Sequence, residues 1–501
     1  MNENKESKKN LKLLKIFGTS ILLFILLFLF LLIPESPSPA PERAQNQPFI
    51  WNQDSLWLAL EKRFIQARQA GKEKLSDSID VSLLTIHNLL NQISADSLLP
   101  DDQLFSQLEN ALFKLAPLVG AYQHRLTDYI KLFSRLRYVV KNQSLHWDMN
   151  SAEARQSIYR LLYGGRAALE EVMLQSDHEK IPAVVMGFEE PSKTPGASIL
   201  GVIIHSGDIL VSRGGAPTSA LIARGNDYPG NFSHVALVHV DEKTHLASII
   251  EAHIECGVAV ATLHDYLRDK KLRVMVLRLR ESLPQLIRDP MLPHKAATTA
   301  LNDAKTKHIP YDFEMDFQNN DKLFCSEVAS APYQNLGVKL WMGISSISSP
   351  GIVRWLSCFG VKHFETQEPS DLEYDPQLRV VAEWRDPETL FKDHIDNAVI
   401  DVMLENANEG KDLDYDWYML PVSRIAKAYS SLINVFGLVG PVPEGMSATA
   451  GLRNKRLTQD HKVIKALVEI QTLEFKKEYG YTPPYWQLLK FTEQAMAELK
   501  Y

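Results

Sequence analysis

Between Gly207 and Glu327 the chain sets an imidazole, a carboxylate and a thiol at the edges of apolar runs. These are Ser233-His234-Val235-Ala236-Leu237-Val238, Ile249-Ile250-Glu251-Ala252 and Leu323-Phe324-Cys325-Ser326-Glu327. The three groups together are what a cysteine nucleophile needs. A cysteine attacks as its thiolate, and a free thiol is mostly protonated at neutral pH, so a helix N-terminus or a nearby imidazolium must lower its pKa. Residues 325–331 read as a helical turn after the polar loop Gln318-Asn319-Asn320-Asp321-Lys322. That predicts Cys325 close to the positive end of a helix dipole.

His234 opens an alternating apolar run through Val235, Leu237 and Val240, and Glu251 follows another from Leu246 to Ile250. A hairpin fits between them, because Asp241-Glu242-Lys243-Thr244 is turn-like. Antiparallel pairing then brings the far ends together, with the Glu251 carboxylate able to orient the His234 ring. Spacing alone leaves plainer readings open. A histidine beside apolar residues is often a hydrogen-bonded core or edge group, a lone cysteine is often packing, and Glu251 can simply end a strand.

Three further segments join these: His205-Ser206-Gly207-Asp208-Ile209-Leu210, the Gly257-Val258 pair after Glu251, and Pro310-Tyr311-Asp312. In this order the set resembles the permuted papain-like hydrolases of the NlpC/P60 superfamily, specifically the YiiX/YebB-like group, in which the histidine precedes the cysteine. The resemblance covers about residues 200 to 340. It implies Cys325 as nucleophile, His234 as general base and then acid, and Glu251 as the orienting third residue. Tyr311 is either a wall or hydrogen-bond donor beside the nucleophile or a packed aromatic. The Cys325 backbone N–H is the obvious oxyanion donor. Pro332 would clash with the carbonyl of Val328 in an undisturbed helix, so the helix after Cys325 is expected to be kinked or short.

The elements that must position these groups follow from hydrophobic period. Ile199–Ile204, Ile209–Ser212, Val235–Val240, Leu246–Ala252, Val258–Thr262, Arg273–Leu279 and Val380–Trp384 read as strands, and Pro293–Lys305 as a helix. The fold class expected is α+β: a circularly permuted papain-like (NlpC/P60) domain at 186–385, flanked by helical regions at 51–185 and 386–501. In the first helical region Leu104, Leu108, Leu112 and Leu115 form one stripe, and Tyr129, Leu132, Phe133, Leu136 and Val140 another. In the last, Leu390–Leu404, Trp417–Phe436 and Leu457–Tyr479 are the longest candidates, separated in part by a loop at Gly437–Gly451. Tyr415, Trp417 and Tyr418 are read there as core packing rather than a substrate groove.

Five lysines in residues 1–15 precede an uncharged run from Ile16 to Ile33, which reaches the roughly 17 residues a membrane span requires. This reads as an uncleaved signal anchor with a cytoplasmic N-terminus, placing the remainder outside the inner (plasma) membrane. The proline-rich stretch 34–50 reads as a spacer.

The net charge of −7 carries no basic run beyond the N-terminus, so nucleic acid is not expected as a partner. Three cysteines leave an odd one over, with a Cys256–Cys358 bond and two free thiols equally open. The histidines at 205, 234, 239, 245, 253 and 264 lack a metal-binding spacing, and neither metal nor cofactor is expected. Two classes of function remain. One is a cysteine hydrolase or acyltransferase acting on peptide, peptidoglycan or a lipid amide; the other is a catalytically silent papain-like binding protein.

Overall fold

The chain is described by a computed structural model that covers residues 3–33, 44, 46–51, 54–436 and 438–499. Most of the spacer expected at 34–50 and the first two residues of the basic tail lie outside the described residues. The helix Glu3–Leu32 takes in the apolar run, and Leu14–Leu32 within it is long and apolar enough to cross a membrane. No residue of that stretch is buried by the rest of the chain.

Eleven strands are described: β1 (Val184–Met186), β2 (Gly196–Ile199), β3 (Val202–His205), β4 (Ile209–Gly214), β5 (His234–Val240), β6 (Ala247–His253), β7 (Gly257–Thr262), β8 (Lys271–Leu279), β9 (Ser345–Ser346), β10 (Glu365–Thr366) and β11 (Leu378–Arg385). Seven form one antiparallel sheet in the order β1-β11-β8-β4-β5-β6-β7. The run expected as a single strand at Ile199–Ile204 is a hairpin instead. Leu200 and Gly201, both at positive φ, turn β2 into β3. The strand near Val380 does return to the sheet, slotted between β1 and β8.

One face of the sheet is packed by the helices Leu292–Thr306 and Glu327–Gln334, with Ile209, Leu237, Ile250, Met275, Ala297 and Val328 in a shared core. The helical stripes of the N-terminal region bury against one another: Leu108, Leu112, Leu115, Tyr129, Phe133, Leu136 and Val140 all lie in one core. The C-terminal helices Leu390–Asn408, Ala448–Tyr479 and Tyr485–Glu498 form another, which also takes in Leu221 and residues 347–364. The last of these three helices falls within the helical region expected at 386–501 but was not among its longest candidates. Ala448–Tyr479 also starts earlier than expected and absorbs the end of the loop at Gly437–Gly451. The Ser447 hydroxyl accepts the N–H of Ala450 as a cap, and Gly480 in the left-handed region closes the other end.

Trp417 and Tyr418 are more than half exposed, against the expectation of core packing. All three cysteines are free, which answers the pairing of Cys256 and Cys358.

A buried set of charges ties the helical regions to the sheet. Arg273 on β8 bonds Glu170 of the helix Gly165–Leu174 at 2.6 Å and Asp393 of the helix Leu390–Asn408 at 2.6 Å. Arg385 and Glu383 on β11 pair at 2.7 Å, and Glu383 also receives Arg137 at 3.2 Å. Arg166 pairs with Glu373. Burial alone would raise the Glu170 carboxyl, but the Arg273 and Arg385 guanidiniums hold it down to about 2. Such a set fixes orientation because breaking it strands buried charge. Arg273→Met removes the guanidinium shared by Glu170 and Asp393, leaving Arg385 at 3.5 Å from Glu170 and Arg213 at 3.6 Å from Asp393 as their guanidinium partners, and should cost about 3 kcal/mol. An unchanged denaturant midpoint for the purified variant would contradict this.

Candidate active site

The site is built on the edge-ward half of the sheet. β5 pairs with β6 so that Ala236 faces Glu251, which sets His234 diagonally from Glu251 and directly across from the end of β6 at His253. All three side chains therefore leave the same face. His234 Nε2 lies 3.0 Å from Glu251 Oε2, and His253 Nε2 lies 3.3 Å from Glu251 Oε1, so each carboxylate oxygen has an imidazole. Burial alone would raise the Glu251 carboxyl; the hydrogen bonds from His234 and His253 outweigh it and hold the group well below the usual carboxylate range. The same bond raises the pKa of His253. The two rings stand with centroids 5.7 Å apart.

Cys325 comes from the segment that leads into the helix packed on the Val235, Leu237 and Ile250 face of the sheet. It lies two residues ahead of the helix Glu327–Gln334, which is short, as Pro332 predicts. The backbone N–H groups of Val235, the residue next to His234, and of Ser326 act on the Cys325 thiol. A parallel bridge between Tyr311 and Leu323 aligns the preceding segment, closed by Leu323 N–H to Pro310 O at 3.1 Å and Asp312 N–H to Leu323 O at 3.2 Å. The Pro310 turn is in turn held to β7 by the Val258 N–H on Ile309 O at 2.9 Å. Gly257, at φ +74°, leaves room for this approach, since a Cβ there would overlap the Ile309 carbonyl.

The expectation of a lowered thiol pKa is reversed. Burial pushes the Cys325 thiol up to about 12; the Val235 N–H acts against this and the Glu368 carboxyl adds to it. A short helix's dipole does not offset removal from water on this scale. The free pocket thus holds a neutral thiol. Tyr311 sits in the same pocket, its phenol raised well above the ordinary value by burial and then by Cys325.

Three site residues escaped the sequence reading. His253 had a signal, two positions along β6 from Glu251 on the same face. Glu368 had none: it lies in a loop beyond the cysteine, is 3% exposed, leaves Oε2 without a partner, and is pushed up to about 8 by burial. Glu327 accepts the Phe324 N–H at 3.0 Å across the start of the cysteine helix, and burial pushes it up to about 9.

Residues 203–382 match the model of a family described as permuted papain-like amidase enzyme, YaeF/YiiX, C92 family. This segment is similar to the permuted papain-like amidases of that family. No curated protein matches the chain. The matched segment runs from β3 to β11 and includes His234, Glu251, Tyr311 and Cys325, while both helical regions fall outside it. Among the described residues no cluster of histidine, cysteine and acidic side chains is arranged to hold a metal.

The two uncharged carboxyls of the amidase domain give it a pH signature. Above pH 4.5 the unfolded chain releases protons that folded Glu327 and Glu368 keep up to about 9 and 8. Their contribution to stability is therefore complete below the unfolded value and is lost as pH rises through the folded ones. Thermal midpoints should fall between roughly pH 5 and pH 8 in the natural chain and fall less in the Glu327→Gln, Glu368→Gln double variant. Parallel pH curves for the two proteins would contradict the assignment.

Proposed function

We propose that the chain is a membrane-anchored cysteine amidase in which Cys325 is the nucleophile, His234 the general base and then acid, and Glu251 the group that holds the imidazole. The observation that carries this reading is that the His234 ring is bonded to Glu251 at 3.0 Å, while the backbone N–H of Val235, the residue next to His234, acts on the Cys325 thiol. The thiol proton passes to His234 as sulfur bonds to the substrate carbonyl carbon, and the oxygen takes the negative charge. The Cys325 N–H faces that oxygen as a donor. Collapse breaks the C–N bond, and the amine leaves with the proton from His234. Water, deprotonated by the same ring, then cleaves the thioester and frees the acid and the thiol.

The resting thiol suits this sequence. With the thiol pushed up to about 12, the proton is transferred only when attack occurs, and the low-lying Glu251 stays ionised to stabilise the imidazolium. Cys325 itself is 5% exposed, whereas the His234 and His253 side chains are 22% and 36% exposed. The carbonyl therefore enters along the two histidines.

The substrate class we favour is an N-acyl or lipid amide, with cell-wall peptide as the alternative. The helix Leu14–Leu32 serves as the anchor, in the inner membrane with the N-terminus cytoplasmic and the amidase domain outside. Such a location brings the site to amphiphilic substrates.

With an N-acyl amide as substrate, Cys325→Ser should abolish turnover. His234→Ala should lower kcat/KM by about 10²- to 10⁴-fold. Glu251→Gln, which keeps the shape but not the charge, should lose on the order of 10⁴-fold, by analogy with other buried carboxylate–imidazole pairs. Near-normal hydrolysis by His234→Ala would sink the proposed mechanism.

A further inference from the structure

The helix Leu420–Asn434 packs its back against the protein and leaves its front uncovered. On the back, Leu420, Pro421, Ser423 and Ser430 are buried, with the Ser423 hydroxyl on Ala448 O at 2.8 Å and the Ser430 hydroxyl accepting Val442 N–H at 3.0 Å. On the front, Tyr418, Val422, Ile425, Tyr429, Leu432 and Phe436 follow one another at intervals of four, three, four, three and four. That is the helical period, and every one of the six is more than half exposed, from 53% at Val422 to 75% at Phe436. Trp417, Val435, Leu438 and Val439 extend the patch at both ends. A water-facing surface rarely carries so continuous an apolar stripe.

What covers it is indicated by its neighbour. The helix lies against the apolar helix Glu3–Leu32, and the Arg424 guanidinium caps the end of that helix, donating to Leu31 O at 2.9 Å and Ile33 O at 2.7 Å. The stripe therefore begins where the anchor leaves the bilayer. We propose that the exposed face of Leu420–Asn434 is a membrane-docking surface, laid into the boundary between lipid headgroups and acyl chains. This rests on the reading of Leu14–Leu32 as a membrane span. Trp417 and Tyr418 at one end of the stripe and Tyr429 within it suit that depth, and the polar back suits the protein side.

Docking also gives the amidase site a floor of lipid. Lys427, on the same helix, donates to the carbonyls of Pro443 and Glu444. Glu444 bonds His308 at 2.8 Å, and Gly445 lies so close to the Phe313 ring that a Cβ would overlap it. One loop thus joins the bilayer-facing helix to the segment carrying Tyr311, and an acyl chain leaving the bilayer meets the cleft wall.

The test uses the full chain in phosphatidylcholine and phosphatidylglycerol vesicles, with p-benzoylphenylalanine placed singly at Leu23, Ile425, Tyr429, Leu432 or Leu84. Leu84 is an exposed side chain of the helix Lys72–Ala95, in the N-terminal helical region. Irradiation should yield phospholipid adducts at 425, 429 and 432 comparable to that at 23, and none at 84. Adducts at 23 but none at the three helix positions, or a cross-link from them to a second protein chain, would overturn the docking surface and leave the span standing. No adduct at 23 would remove the span itself and the proposal with it.

Discussion

The site depends on one geometric constraint, the register of β5 against β6. Because side chains alternate along a strand, only an even offset puts His234, Glu251 and His253 on one face. A slip of one residue would turn the carboxylate to the opposite face and leave the imidazole without its partner. The register is held from both sides: β5 lies between β4 and β6, and Ile209, Leu237 and Ile250 bury beneath it. The Val235 N–H of the same strand acts on the Cys325 thiol, so the strand's position bears on the nucleophile as well.

Burial divides the carboxyls of this protein into two kinds. Those with imidazolium or guanidinium partners, Glu251 and Glu170, are held low and stay charged. Those without, Glu327 and Glu368, are pushed up to about 9 and 8 and stay neutral. The distinction matters around Cys325. An ionised Glu368 beside the sulfur would oppose the thiolate, whereas a protonated one removes that repulsion while the pocket stays dry. The acid-rich surroundings of the nucleophile are thus compatible with its attack.

The sheet and the paired His234 and Glu251 were legible because a period of two survives in the sequence wherever one face is buried. Tyr311 and Cys325 could be placed in order by their motifs, but the direction of the thiol's pKa could not, since depth of burial is a tertiary property. Nothing in the sequence marks Arg273, Glu170 and Asp393 as a buried set; only the fold brings them together out of water. Trp417 and Tyr418 show the converse limit: an apolar stripe looks the same whether its cover is protein or something outside the chain. The early start of the last long helix at Ala448 was missed because the Ser447 cap outweighs the glycine at 451, a local competition that composition does not resolve.

The account turns on a covalent bond to one sulfur. Mass spectrometry of the full chain, quenched in acid during turnover of an N-acyl amide or an activated ester of the same acid, reads that bond directly. The account predicts a single acyl group on the peptide carrying Cys325, released by neutral hydroxylamine and absent from the His234→Ala protein. An acyl group on Cys256 or Cys358 instead, or steady turnover with no acyl group on any cysteine, would contradict it.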